Sequence, residues 1–243
     1  FKTQVTNAAE ALQGRVAGVQ VTSGGGPGAA PVIRIRGYST TNDNSPLYVI
    51  DGIQTTDPNV MRDINPRDIE NISVLKDGSA AIYGARASNG VIVVTTKKGN
   101  YNQANTLSID ASYGISEVTR VPDMLNLQQH ADMTWQSILN DGNTPSHPQY
   151  GSGTSPSIPV FLNVPMPSGA EYEGAGAKVA VPNGTSWFDE LFDQAAVSNV
   201  SVQASGGSEQ GKYLLSVNYL NQEGVQIHTG FERAGARLNS EFK

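Results

Sequence analysis

The 243-residue sequence contains no cysteine. Disulfide scaffolds, thiolate metal sites, iron–sulfur clusters and cysteine nucleophiles are excluded at once. Charge is sparse. Asp, Glu, Lys and Arg make up 16% of residues, against about 25% in an ordinary soluble domain. The net charge of −6 argues against a global electrostatic drive toward nucleic acid, and no nucleic-acid partner is expected. Apolar runs such as Val91-Ile92-Val93-Val94 fall far short of the about 20 residues a membrane-spanning helix needs. Membrane β-strands escape that exclusion, because they alternate and are shorter. The three histidines, His130, His147 and His228, stand far apart, in no recognised ligand or triad spacing. No G-x-S-x-G, H-E-x-x-H or P-loop pattern occurs. Gly24 to Ala29 fits G-x-G-x-x-A, but Pro31 and a strand follow where a dinucleotide loop must open a helix. Asn42-Asp43-Asn44 lacks the rest of an EF-hand loop. No cofactor, metal site or catalytic residue is expected, and the chain is not read as an enzyme.

What is present is glycine, proline and short strand signals, with 26 glycines and 13 prolines. Residues 1–100 read as a compact α/β unit with its own core. Val16 to Val21 is strand-like. Val32 to Gly37 alternates, with Ile33 and Ile35 on one face and Arg34 and Arg36 on the other. Pro46 to Ile50 is a strand ending in the turn signal Asp51-Gly52. Asn65-Pro66 starts a short helix to about Asn71. A strand from Ile72 to Leu75, a turn at Lys76-Asp77-Gly78, and an Ala/Ser-rich segment from Ser79 to Ala87 follow; that segment suits tight packing. Asn89-Gly90 turns into a buried strand, Val91 to Thr96. Two arginines on one strand face mean a solvated face, or a docking surface of bidentate pairs if carboxylates meet it.

After residue 104 the pattern changes. From Thr106 to Ser116, Leu107, Ile109, Ala111, Tyr113 and Ile115 share one face and polar residues the other. That is the length and rhythm of an outer-membrane strand, although such a strand alone is commoner in a soluble sandwich. Residues 117–196 are irregular, with a helix expected from Asn126 to Leu139 and a short one from Trp187 to Gln194. Alternation returns in Val200, Val202 and Ala204, then in Tyr213, Leu215, Val217 and Tyr219, across a tight turn at Gly206 to Gly211. In a last strand, Phe231 to Phe242, Ala234, Ala236 and Leu238 face away from Arg233, Arg237 and Asn239.

Ordered motifs then carry a resemblance. Ala11 to Val19, Ile33-Arg34-Ile35-Arg36-Gly37, Pro46 to Gly52, Asn65 to Ile72, and above all Val74 to Val91 continuing into Thr95 to Gly99 resemble the plug of SusC/RagA-type TonB-dependent outer-membrane transporters. The signature positions are Gly37, Asp51, Gly52, Lys76, Asp77, Tyr83, Gly84, Arg86, Asn89 and Gly90. Gly78 and Ser88, where that family commonly has Ala, are minor departures.

The resemblance implies an α/β plug domain followed by antiparallel strands of a transmembrane β-barrel of about 22 strands, with about four of them here. The plug would be residues 1–100 and the N-terminal part of the barrel residues 101–243, with 117–197 as a long first extracellular loop. Four strands cannot close a barrel, since the smallest have about eight, so a fragment is expected. The implied place is the bacterial outer membrane, with the plug in the barrel lumen facing the periplasm. The implied activity is active import of a nutrient, a glycan by preference, with membrane lipid around the barrel. Partners would be the TonB–ExbB–ExbD complex and a SusD-like surface lipoprotein. An oligopeptide importer, a transporter-like structural subunit, and a secreted β-sandwich binding module stand as alternatives. Arg34 and Arg36 would dock barrel-wall carboxylates absent from this chain, so that Arg36→Ala loosens the plug. The loop Ser39, Thr40, Thr41, Asn42, Asp43 and Asn44 would face substrate. Tyr113, Tyr213, Tyr219 and Phe231 would join interfacial aromatic girdles.

Overall fold

The computed structural model describes residues 7–38, 41, 43–148, 150–158, 161–163, 177–179 and 185–243. The chain divides into two compact units. One runs up to Glu117 and resumes at Gln194; the other is Val118–Asp193.

The first unit opens with an antiparallel pair, β1 (Val19–Thr22) and β2 (Val32–Ile35). Gly18, at φ 71°, turns the chain before β1, so the strand starts later than the Val16 expected. A four-stranded mixed sheet follows, made of β3 (Leu47–Ile50), β4 (Ile53–Thr55), β5 (Ile69–Leu75) and β6 (Val91–Thr96), in the order β4-β3-β6-β5. The central strands β3 and β6 are parallel. Both read as continuous apolar runs because both faces of the sheet are covered. On one face Tyr48, Ile92 and Val94 pack with Val21, Ile33, Ile35 and Met61, the last from helix α1 (Asn59–Asp63). On the other, Leu47, Val49 and Val91 meet Ala80 and Ala87. Fully burying a side chain such as Ile33 or Ile92 contributes about 1.5–3 kcal/mol.

The Ala/Ser-rich segment packs tightly, as its composition suggests, and forms two 3₁₀ stretches, Asp77–Ser79 and Ala81–Ala87. Gly84 breaks the second at φ 73°, ψ −159°, a region essentially closed to residues with a Cβ. The helix expected from Pro66 to Asn71 is only a 3₁₀ turn, Pro66–Asp68. Asn65 caps it by accepting the Arg67 N–H at 3.1 Å. The β-branched Ile69, Ile72 and Val74 then favour extension, and β5 starts at Ile69.

β7 (Thr106–Ser116) runs as expected over 11 residues. The second unit carries α2 (Leu127–Asn140), whose start is fixed by a reciprocal cap. Gln129 N donates to Asn126 Oδ1 at 2.8 Å, and Asn126 N to Gln129 Oε1 at 2.9 Å. α2 buries Ala131 and Trp135 against Tyr150. Short pairs β8 (Ser146–His147) with β9 (Gly151–Ser152), and β10 (Phe161–Asn163) with β11 (Ala177–Val179), also lie in this unit, as does α3 (Trp187–Leu191).

Back in the first unit, β12 (Ala195–Gly207), β13 (Gly211–Glu223) and β14 (Gly230–Phe242) each span 13 residues. With β7 they form an antiparallel sheet in the order β14-β13-β12-β7. Its outer face is apolar and open: Leu107, Ile109, Tyr113 and Leu238 are 65–71% exposed. Its inner face carries buried Ser201, Ser216, Asn218 and Leu220 and covers the N-terminal sheet. The alternation read in β7, β12, β13 and β14 holds. Phe231 is the correction. It lies on the inner face with Arg233 and Arg237, where the Arg62 guanidinium stands 5.6 Å from its ring, and so it belongs to no outward girdle.

Candidate functional site at the plug–wall interface

The functional geometry lies where the N-terminal α/β unit seats on the inner face of the four-stranded wall. Each contact begins with a local turn. Asp51 and Gly52 take φ values of 48° and 92° between the paired Ile50 and Ile53. That is the two-residue hairpin turn whose backbone matches strand twist, and Gly at its second position carries no Cβ penalty. The turn points the Asp51 carboxylate at β6. Oδ1 accepts the Thr96 N–H at 2.8 Å, and Oδ2 accepts the Thr96 hydroxyl at 2.6 Å. From β14, Arg237 Nη1 donates to the same Oδ2 at 3.1 Å and to Thr96 Oγ1 at 3.3 Å. Both side chains of this pair are under a third exposed. A charge-assisted bond in such a setting contributes about 1.5–3 kcal/mol.

A second anchor forms around the Pro66–Asp68 turn. Asp68 is 3% exposed. A carboxylate so buried needs donors, and the wall supplies them. Ser216 Oγ donates at 2.5 Å and Gln203 Nε2 at 2.9 Å. Asn65 Nδ2 donates to Ser201 Oγ at 3.4 Å. Arg67 Nη1 sits 3.0 Å from Asp110 Oδ1 of β7, a charge contact without hydrogen-bond alignment. Higher on β14, Arg233 donates Nη1 to the carbonyls of Arg62 and Ile64. Asn239 Nδ2 donates to Lys97 O at 2.7 Å. At the exit from the plug, Tyr101 donates its hydroxyl to Glu241 at 3.2 Å. The ammoniums of Lys212 and Lys243 stand 4.6 and 4.4 Å from its ring centre.

Apart from Asp51, the signature residues serve the plug itself. Arg36, at φ 61°, precedes Gly37 at φ 87°. Its guanidinium grips Asp77 with two contacts, 2.8 and 2.6 Å. Arg34 lies 4.5 Å from the Tyr38 ring centre. Arg36 thus has a carboxylate partner inside the plug. Across the described plug–wall interface, wall arginines meet plug carboxylates and carbonyls, with Arg67–Asp110 running the other way. Lys76 donates its ammonium to Ala17 O. Asn89 Nδ2 donates to Asp43 O at 3.0 Å and Ser45 O at 3.3 Å, pinning the loop that leads into β3. A Cβ on Gly90 (φ 87°) would lie 2.7 Å from Ile35 Cδ1. Tyr83 packs on the Leu47 side of the core, while Arg86 is exposed.

Of the expected substrate-facing loop, Ser39, Thr40 and Asn42 lie outside the described residues. Thr41 is exposed. Asp43 accepts the Ser45 N–H at 2.8 Å, and its hydrogen bonds to Ser45 hold its carboxyl below the usual range. Asp43, Asn44, Arg34 and Tyr38 line a hollow of about 190 Å³.

Sequence reading assigned no role to Asp68, Thr96, Gln203, Ser216, Arg233, Arg237 or Asn239. Their signal was there in part. Arg233, Arg237 and Asn239 stand on the strand face opposite Ala234, Ala236 and Leu238, and an inward charged row needs partners.

An α/β plug docked on the inner, polar face of an antiparallel sheet whose outer face is apolar defines a gated β-barrel class of protein. The comparisons give the family. A model described as the TonB-dependent receptor plug domain matches residues 1–91. The TonB-dependent receptor P26 of Formosa agariphila is 37% identical over 98% of this chain and 22% of its own length. The TonB-dependent receptor SusC of Bacteroides thetaiotaomicron is 33% identical over 96% of this chain and 21% of its own length. The structure of the RagAB peptide importer in its open-open state superposes with a TM-score of 0.76 at 31% identity, covering 100% of this chain and 27% of that one. The chain belongs to the TonB-dependent receptors of the SusC and RagA type. It spans about a fifth of the length of these curated relatives.

Proposed function

We propose that this chain is the gating part of a TonB-dependent importer that carries a nutrient oligomer across the bacterial outer membrane. The observation that carries the reading is the two-faced wall. Its outer face suits lipid, and its inner face holds the plug by separable hydrogen bonds and ion pairs instead of one continuous apolar core. Such contacts hold a closed state and still break one by one under a pull. The short turn at Ser208–Gln210 lies beside the plug exit, since Asn102 N donates to Ser208 O at 3.3 Å and Gly207 N to Gln103 O at 3.0 Å. Short turns are periplasmic in such barrels. This end therefore faces the periplasm and the TonB–ExbB–ExbD complex, and the connection between β7 and β12 faces outward, toward a SusD-like lipoprotein. Arg34 and Arg36 remain candidates for docking wall carboxylates outside this chain. The loop from Ser39 to Asn44 is the candidate substrate contact.

Oligosaccharide is the first substrate reading, carried from the family resemblance. Oligopeptide is the second, favoured by the likeness to the RagAB peptide importer. The test tethers the gate in the full-length transporter. Cysteines replace Asp68 and Ser216, whose side chains touch, and uptake of labelled glycans and peptides is followed with and without reductant. Uptake that stops on oxidation and returns on reduction supports the gate and identifies the cargo. Undiminished uptake with the crosslink formed overturns it and leaves the structural-subunit alternative.

A further inference from the structure

The plug–wall contacts described above are polar; the one at Phe231 is not. Phe231 projects from the inner face of β14 against the glycine-rich stretch Gly24–Gly28. Gly28 has φ 63°, and a Cβ there would lie 2.1 Å from Phe231 Cδ2. The ring therefore occupies the space that any other residue at 28 would fill. Arg62 covers the ring from the plug side at 5.6 Å. Leu220, 2% exposed, adjoins it on β13, and the gap among these groups is about 50 Å³. The neighbouring hairpin closes on the same stretch, since a Cβ on Gly224 would lie 2.8 Å from Pro27 Cγ. Phe231 pairs with Gln222 at the β13–β14 hairpin end, remote from the plug exit. It stands about 20 Å along the strand from Arg237 at the usual rise per residue.

We propose that Phe231 and Gly28 form a wedge that seals the outer rim of the plug, a positioning contact independent of the polar anchors. The glycine requirement at 28 then has a mechanical reason: the backbone must come close enough for the ring to close the seam. The proposal rests on the gating reading and adds a second, apolar lock to it. Gly28→Ala pushes the ring out, and Phe231→Ala empties the seam. Both leave Asp51, Asp68 and their wall partners in place.

The test uses the full-length transporter in outer membranes, with Leu220→Cys as reporter, since Leu220 is buried and lines the gap beside the ring. The readouts are its reaction with an external bulky maleimide and the susceptibility of cells to vancomycin. With Phe231→Ala, labelling rises about tenfold or more as the seam opens locally, and susceptibility increases. Gly28→Ala does the same, while Phe231→Leu keeps most of the seal. Heat-shifted mobility of the barrel on gels verifies folding of each variant. Labelling and susceptibility that stay at the parent level in both Phe231→Ala and Gly28→Ala, while Arg237→Ala leaks, overturn the wedge and leave the gate standing. If Arg237→Ala is tight as well, the gating reading itself falls.

Discussion

Arg237 and Arg36 show how one residue type does different work in two settings. Arg36 and Asp77 form a well-aligned pair, but their side chains are 63% and 60% exposed, and water screens such pairs to about 0–1 kcal/mol. Arg237 reaches an Asp51 whose other bonds already fix the end of β6. Its removal leaves a half-buried carboxylate short of a donor. We expect Arg237→Ala to weaken retention of the plug by about 1.5–3 kcal/mol, and Arg36→Ala by under about 1 kcal/mol. Hydrogen exchange at Thr96 and its neighbours measures both, and equal effects would sink the distinction. Tyr48 gives a pH prediction. It is 1% exposed, and burial, then the charges of Asp43 and Asp57, push its hydroxyl up to about 12. A folded-state value above the unfolded one, near 10, means the contribution is whole below pH about 10. It is lost as pH rises toward 12, at about 1.4 kcal/mol per unit. An alkaline titration of plug unfolding followed by tyrosinate absorbance checks this; the Tyr48→Phe variant should lose that part of the slope.

At the scale of elements, the wall strands were legible because period-two alternation leaves little freedom. β7 matches its expected bounds, and β14 starts one residue before the Phe231 expected. α2 lies within a residue of the expected bounds at each end. Asn126→Ala should remove the reciprocal cap and cost the second unit about 1 kcal/mol, read as lost helical circular dichroism on heating. The plug was less legible. Its 3₁₀ stretches are too short for a periodic signal, and the β-branched residues after Asp68 override the helix that Asn65-Pro66 announces. Phe231 was misjudged although the pattern held the answer: it stands an odd number of residues from Ala234, and an odd step changes the face. The anchors themselves were illegible. Asp68 and Ser216 are 148 residues apart, and no local pattern joins them. Gly90→Ala tests the element level once more. Its φ of 87° and the 2.7 Å approach to Ile35 predict a loss of about 1–3 kcal/mol, seen as a lower urea midpoint of the plug.

At the scale of the whole molecule, the absence of cysteine makes the two-faced wall directly readable. Single cysteines at Ile109, Val217 and Leu238 should react with a membrane-soluble maleimide, and those at Ser201, Ser216 and Gly235 should not. Labelling without alternation would overturn the lipid-facing assignment. The docking of the plug on β7, β12, β13 and β14 also bears on how such a receptor is built. The anchors between plug and wall close loops of 148 residues for Asp68–Ser216 and 186 residues for Asp51–Arg237, and because the cost of closure grows only with the logarithm of loop length, it is modest even at these separations. The plug can be seated while the sheet is still an open ribbon.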